Sequence, residues 1–371
     1  MRIRAAVVEE KDKPFILEEL ELDEPRPDEV LVRIVATGVC QTDAHVQHQN
    51  LPTPLPVVPG HEGAGVVEAV GSTVTSLVPG DHVVLSYQSC GRCGTCLSGH
   101  PAYCDLAGEV NFAGRRADGT TGVHRPDGVP GGGEVGGRFF GQSSFATHAL
   151  VTERNAVKVP DDVPLELLGP LGCGLQTGAA SILTTFEVEA GSSVAVFGSG
   201  AVGLSAVMAA RVAGAATIIA VDINAERLEL AAELGATHVV NGREADVSEE
   251  IRRITGRGVD YVLENTGHPD MLGHATASLA PMGTVGLLNS PPGSNAPIDG
   301  SRLTLGSTVR GIIQGDAVPH TFIPKLIAMY REGTFPFDRL IRFYDFEDIN
   351  EAFADAQKGL AIKPVLRVSQ P

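Results

Sequence analysis

At 371 residues the chain is longer than one hydrophobic core holds, since cores stop growing at roughly 250 to 300 residues, so two domains are expected. Its 43% hydrophobic content is that of a globular protein, and no run approaches the roughly 18 unbroken apolar residues that span a bilayer. The 28 Lys and Arg against 45 Asp and Glu leave a net charge of −17, which argues against nucleic acid, a partner that needs clustered cations to displace counterions.

The opening stretch MRIRAAVVEEKDKPF alternates apolar and polar residues and then turns charged, without the apolar region and small-residue cleavage site of a secretory signal. A cytoplasmic location and no membrane partner are the expectation. In a reducing compartment, closely spaced cysteines point to metal ligation or catalysis rather than disulfides. The chain has six. GVCQTDAHV carries Cys40, Thr42, Asp43 and His45, and PGHEGAGVVEAVG carries His61 and Glu62. Next, CGRCGTCLSGHPAYC sets Cys90, Cys93, Cys96 and Cys104 in the pattern C-x2-C-x2-C-x7-C, with Gly91, Gly94 and Gly99 to curl the backbone around a centre. Four thiolates suit a closed, tetrahedral structural zinc site. An iron–sulfur cluster uses the same ligands, but nothing nearby points to electron transfer. With all four positions filled, no room is left for substrate.

From Ala107 to Gly141 the chain is glycine-rich and patternless, a loop or a rim over a cleft. Tyr87 and either Phe139 or Phe140 are candidates for an apolar substrate slot, although such rings are more often plain core. GPLGCGLQTG then supplies Cys173. Cys40, His61 and Cys173 are weak signals singly. Together they offer two thiolates and an imidazole, a set that suits a catalytic zinc with its fourth position open. Such an ion acidifies a bound hydroxyl to near neutral pH, and an ionised alcohol gives up hydride readily.

The hydride acceptor is legible in SSVAVFGSGAVGLSAVMAARVAGAATIIAVDIN. A buried strand at 193–197 runs into a glycine turn, an apolar helix follows over 201–213, and a second strand over 217–221. Gly198, Gly200 and Gly203 form G-x-G-x-x-G, with Val202 among its variable positions, in the strand–turn–helix context this motif requires. The glycines permit the tight turn and close approach of a pyrophosphate, which meets the amide hydrogens of the helix start. Asp222 follows Gly203 by nineteen residues, near the offset of a ribose-binding acid; its charge favours NAD over NADP. Arg227, a turn and a half along the next helix, can reach the same ribose or simply pair with Glu226 or solvent. A helix at 225–235, a strand at 259–263 and apolar runs at 284–288 and 308–313 continue the alternation, giving an α/β fold with a doubly wound parallel sheet, the Rossmann arrangement.

With these residues in hand, the chain resembles the zinc-containing medium-chain alcohol dehydrogenases along nearly its whole length. GHEGAGVVEAVGSTV matches that family's zinc signature at Gly60, His61, Glu62, Gly65, Gly71 and Val74. The resemblance implies a GroES-like, mostly-β catalytic domain over 1–173 and 315–371 with two zinc sites, and an NAD-binding Rossmann domain over 174–314. It implies that Cys40, His61 and Cys173 ligate the catalytic zinc, that Asp43 orients His61, and that Glu62 exchanges onto the metal transiently. Thr42 is similar to the hydroxyl that takes the substrate proton and relays it towards His45 at the surface. Lys363 resembles the basic residue that meets the cofactor pyrophosphate. Gln41 departs from relatives with a basic residue there, which implies a looser grip on the cofactor. Within the family, GRFFGQSSFATHALVTERNAVKVP and FPFDRLIRFYDF are most similar to the aryl-alcohol (benzyl-alcohol) dehydrogenases, which act on primary aromatic and allylic alcohols and their aldehydes. A homodimer or homotetramer is implied.

Two alternatives stand beside this reading. The thiol-adduct formaldehyde dehydrogenase branch shares both zinc sites and NAD but needs cations for an anionic conjugate, and Arg115, Arg116 and Arg138 leave it open. A non-catalytic dinucleotide-binding redox sensor would be expected to have lost catalytic metal ligands, which are all present here.

Overall fold

The computed structural model describes residues 1–126, 133–289 and 297–370, and the chain divides into two units. The first comprises Met1–Cys173, Val318–Lys325 and Asp338–Pro371, the second Gly174–Ala317 and Leu326–Phe337. The second unit thus takes Leu326–Phe337, which the sequence reading had placed with the carboxy-terminal tail; its Leu326, Phe335 and Phe337 are fully buried.

In chain order the first unit has strands β1 (Arg2–Val7), β2 (Ile16–Leu22), β3 (Glu29–Gly38), β4 (Gly63–Val70), β5 (His82–Leu85), β6 (Val123–His124), β7 (His148–Thr152) and β8 (Ala156–Lys158). The second has β9 (Ser193–Phe197), β10 (Thr217–Asp222), β11 (His238–Asn241), β12 (Val259–Glu264), β13 (Leu279–Leu287) and β14 (Thr308–Gly311). The chain then returns to the first with β15 (Ile341–Asp345) and β16 (Lys363–Arg367).

β3 organises the first unit. It pairs antiparallel with β4, β7 and β16 inside a seven-stranded sheet, while β1, β2 and β6 form a smaller one. Side chains alternate across a strand. Accordingly Val30, Val32 and Ile34 enter one core with Val67, Leu85 and Val151, while Leu31 joins another that contains Phe139, Phe145 and Phe353. The stretch from Ala107 to Gly141, which showed no pattern in sequence, holds a helix at Ala107–Phe112 and strand β6; residues 127–132 lie outside the described residues.

Much of that stretch is anchored by charge. Arg116 Nε and Nη2 donate to Glu29 at 2.7 and 2.9 Å, and Nη1 donates to Asp23 at 3.1 Å. Arg138 Nη1 donates to the Leu150 carbonyl at 2.6 Å and stands 3.5 Å from the same Glu29 carboxylate. All three side chains are buried. Burial pushes the Glu29 pKa up, but hydrogen bonds from Arg116 and the charge of Arg138 outweigh it and hold the group below its ordinary value. A depressed carboxylate contributes stability that is complete above its unfolded pKa and lost as pH falls through the folded one. Glu29→Gln leaves Arg116 with Asp23 and Arg138 with the Leu150 carbonyl but removes their shared buried counter-charge, and is expected to lower the unfolding free energy by about 1–3 kcal/mol. Urea unfolding near neutral pH checks it, and the loss relative to the parent should shrink in acid.

The second unit is built on a six-stranded, wholly parallel sheet in the order β11-β10-β9-β12-β13-β14. Parallel strands covered on both faces are continuously apolar, which is why SVAVF forms β9 with four of its residues buried. The helix Ala201–Val212 buries every residue from Gly203 to Ala210. Asn224 caps the helix Ala225–Leu234 by accepting from the amides of Glu226 and Arg227, and Gly235 closes it at φ 128°. Among the described residues no helix is long and apolar enough to cross a membrane.

Candidate active site

The β3–β4 pair gathers residues that are distant in sequence. Thr37 near the end of β3 faces Gly63 at the start of β4, so Cys40, just past one strand, meets His61 and Glu62, just before the other. The Gly38 amide donates to the Glu62 carbonyl at 3.0 Å. On the opposite edge of β3, Val39 donates to the Pro364 carbonyl at 2.9 Å, which brings in Lys363. Cys173 arrives from the turn Gly169–Gly172, whose last carbonyl accepts from Ser86 Oγ at 2.7 Å. The donor atoms of Cys40, His61, Glu62 and Cys173 consequently lie within 4.8 Å of one another.

Asp43 orients this group from the helix Gln41–Gln47. Its Oδ1 accepts from His61 Nδ1 at 2.8 Å and from the Gly60 amide at 3.0 Å, while Oδ2 accepts from the Cys40 amide at 3.1 Å. A hydrogen on Nδ1 leaves the Nε2 lone pair of the neutral ring free to ligate. Among the described residues the buried His61 Nε2 has no hydrogen-bond partner. That orphaned nitrogen, with two sulfurs and a carboxylate around it, fits zinc. A hydrogen bond from Cys173 lowers the Cys40 pKa. Burial opposes charge on His61, but Asp43 and Cys40 outweigh it and raise its pKa.

Burial pushes Glu62 up to about 7 against the pull of Lys363. Lys363 Nζ donates to both Glu62 oxygens, at 3.0 and 2.9 Å, and to the Val39 carbonyl at 3.0 Å. It is only 3% exposed. Rather than facing a pyrophosphate, as the resemblance implied, Lys363 sits inside the unit, because a buried carboxylate requires a counter-charge. Gly38 completes the cradle, since a Cβ there would stand 2.0 Å from Glu62 Oε2. Thr42 and His45 lie on the Asp43 helix, with Thr42 Oγ1 3.9 Å from Cys40 Sγ. The buried His45 Nδ1 has no hydrogen-bond partner among the described residues.

Cys90, Cys93, Cys96 and Cys104 form a second group whose sulfurs lie within 4.8 Å of one another. The amides of Cys90 and Cys93 donate to sulfurs of Cys104 and Cys90 at 3.2 and 3.4 Å. The Thr95 hydroxyl, 3.1 Å from Cys93 Sγ, is the largest influence holding that thiol down at about 6.

In the second unit Gly198 turns the chain at φ 90°, and a Cβ on Gly203 would meet the Gly198 carbonyl at 1.8 Å. Gly200 caps the helix that contains Val202. Asp222, at the end of β10, accepts from the Ser199 amide at 2.6 Å and from the amides of Ile223 and Asn224 at 2.7 and 2.9 Å, which fixes its carboxylate beside the glycine turn. Arg227 is half-buried one turn into the following helix.

Residues 26–161 match the alcohol dehydrogenase GroES-like domain and residues 201–332 the zinc-binding dehydrogenase family. Geraniol dehydrogenase of Castellaniella defragrans is 48% identical over 368 residues, 98% of this chain and 97% of that protein. The chain belongs to the zinc-containing medium-chain alcohol dehydrogenases. Among solved structures, the alcohol dehydrogenase zinc-binding domain protein of Burkholderia ambifaria is 53% identical with a TM-score of 0.97 over 100% of both chains. Benzyl alcohol dehydrogenase of Acinetobacter calcoaceticus is 46% identical with a TM-score of 0.95 over 100% of both chains.

In this alcohol dehydrogenase the ligand group is walled by aromatic rings. Phe140 stacks on His61 with centroids 4.6 Å apart and planes at 25°, and Phe139 meets the same ring edge-on at 5.7 Å. Phe112 packs against Phe140 at 5.3 Å. Sequence reasoning singled out Phe139, Phe140 and Tyr87, and all three are buried. It passed over Phe112, Gly38 and Gln142. The last is fully buried and bonded to the backbone on both sides of Glu62, and its only trace in sequence is a lone amide inside the aromatic stretch FFGQSSF.

Proposed function

We propose that this dehydrogenase oxidises primary aromatic and allylic alcohols to aldehydes with NAD, reversibly, and holds two zinc ions per chain. The observation that carries the reading is the aromatic wall laid directly on a ligand group of two sulfurs and an imidazole. Relatives whose names specify geraniol, an allylic alcohol, and benzyl alcohol, an aromatic one, support it.

Cys40, His61 and Cys173 would hold the catalytic zinc, and Cys90, Cys93, Cys96 and Cys104 the structural one. Bound zinc supplies Lewis acidity to the alcohol oxygen, and bound NAD supplies the hydride acceptor. Asp43 fixes the His61 tautomer. Phe140, stacked on His61, keeps water from the ligand group and turns an apolar face to it, and Phe139, wholly buried, backs that ring. Thr42 and His45 carry the hydroxyl proton away. Glu62, with its charge balanced by Lys363, stands close enough to the sulfurs to exchange onto the ion. Gly198, Gly200, Val202 and Gly203 receive the pyrophosphate, and Asp222 and Arg227 the adenosine ribose.

The thiol-conjugate alternative finds less support, because Arg116 and Arg138 are engaged by Glu29 and Arg115 pairs with Glu134 at 2.6 Å. Assembly as a homodimer or homotetramer belongs to the same proposal. β14 has a single strand neighbour among the described residues, and Met282 and Leu305 are exposed nearby.

An alcohol panel assayed with NAD and NADP tests this function. Benzyl alcohol and geraniol should be turned over with NAD, well ahead of short aliphatic alcohols and thiol hemiacetals, and equal rates with both cofactors would contradict the role of Asp222. Asp222→Asn, which drops the charge that repels a 2′-phosphate, is expected to move the NAD/NADP ratio of kcat/KM by about 100-fold towards NADP, as a like-charge contact of a few kcal/mol implies.

A further inference from the structure

The segment after Arg138 has an unusual backbone. Phe140, Gly141 and Ser143 have φ of 52°, 66° and 51°, so two residues with side chains adopt the left-handed region. Such residues persist where their surroundings fix them. Here they turn the Gln142 side chain inward, fully buried, with all its hydrogen-bonding groups engaged. Nε2 donates to the carbonyls of His61 at 3.0 Å and Ser86 at 3.2 Å, and Oε1 accepts from the Gly63 amide at 3.1 Å. One amide therefore grips the peptides before and after Glu62 and ties them to Ser86. Ser86 Oγ in turn holds the carbonyl of Gly172, the residue before Cys173. The neighbours of Gln142 grip the same loop: Ser143 Oγ donates to the Val58 carbonyl at 2.6 Å, and the amides of Ser144 and Phe145 donate to Gly60 and Pro59 at 2.9 and 3.1 Å.

We propose that Gln142 is a positioning residue for the metal ligands. It touches neither substrate nor cofactor. By fixing the His61 carbonyl and the Gly63 amide, and by joining them through Ser86 to the backbone of Cys173, it sets how far the imidazole and the Glu62 carboxylate stand from the two sulfurs. This rests on the reading that Cys40, His61 and Cys173 hold an ion. Hydrogen bonds that orient ligands typically change metal affinity or activity by about 10–100-fold when removed.

The test compares the parent enzyme with Gln142→Met, which keeps the volume but loses all three bonds, and Gln142→Glu, which keeps the acceptor for Gly63 and loses both donors. Each is purified zinc-loaded, assayed for metal content and for zinc release to a chelator, then exchanged with cobalt(II) for its visible spectrum. In both variants the second zinc should leave about 10-fold faster or more, the cobalt bands of the Cys40–His61–Cys173 site should shift, and kcat should fall with KM for benzyl alcohol little changed. The tetra-cysteine ion should stay. A lower melting temperature with unchanged cobalt bands and zinc release would show Gln142 to be an ordinary satisfier of buried backbone and overturn the proposal. Should the methionine variant fail to fold, the glutamate variant decides by the same readouts. One zinc per chain in the parent would instead sink the underlying reading.

Discussion

His61→Ala is expected to cut alcohol oxidation by at least about 10,000-fold and to lower the zinc content from two ions per chain to one. The size follows from the energetics. A Lewis acid on the reacting oxygen supplies several kcal/mol of charge stabilisation, and each 1.36 kcal/mol is tenfold in rate. Removing the imidazole leaves two sulfurs, with the Cys173 thiol pushed up by its hydrogen bond to Cys40 and by burial, and a Glu62 carboxylate that Lys363 also holds, too poor a set to keep the ion. Asp43, deprived of its ring partner, keeps the amides of Cys40 and Gly60, so the fold should survive. Steady-state rates with benzyl alcohol, together with elemental analysis, check the result. Retention of two zinc ions with near-parental turnover would show that the dispersed residues do not form the working site.

Cys104→Ala should have the largest effect on stability. Between Cys90 and Cys104 the backbone forms only the four-residue helix Gly94–Leu97 and the turn Pro101–Tyr103, and Leu97 is 74% exposed. A lobe with so little core depends on its ion for order, as small metal-bound modules do. A loss of roughly 4 kcal/mol would lower the melting temperature by about 10 °C in a unit of this size. Thermal unfolding with and without a chelator measures it. The parent should lose stability to the chelator and the variant very little more.

The two units were legible to different degrees, for a physical reason. Parallel strands and helices buried on all sides are uninterrupted apolar runs, so SVAVF, its glycine turn and the helix Ala201–Val212 stand out in one dimension. The tetra-cysteine group was equally plain, because its ligands are local. Cys40, His61 and Cys173 are joined only by the β3–β4 pairing and the turn Gly169–Gly172; their chemistry as two thiolates and an imidazole suggests the set, and the resemblance to a family assigns them to one ion. Three features had no usable signal. Gly38 matters because a carboxylate 24 positions along the chain fills the space a Cβ would need. Lys363 was expected to face a cofactor, and only the register of β16 against β3 reveals that it is enclosed with Glu62. Gln142 acts through backbone groups of residues 61, 63 and 86, which sequence spacing cannot connect. The positive φ of Phe140 and Ser143 is likewise hidden, since neither residue type marks a left-handed turn.

The decisive measurement is anomalous diffraction across the zinc absorption edge from crystals of the purified enzyme. Two anomalous peaks per chain are expected. One should lie among the four clustered cysteines, and the other at about 2.3 Å from the sulfurs of Cys40 and Cys173 and about 2.0–2.1 Å from His61 Nε2. A single peak, confined to the four cysteines in protein that still oxidises alcohols, would contradict that expectation.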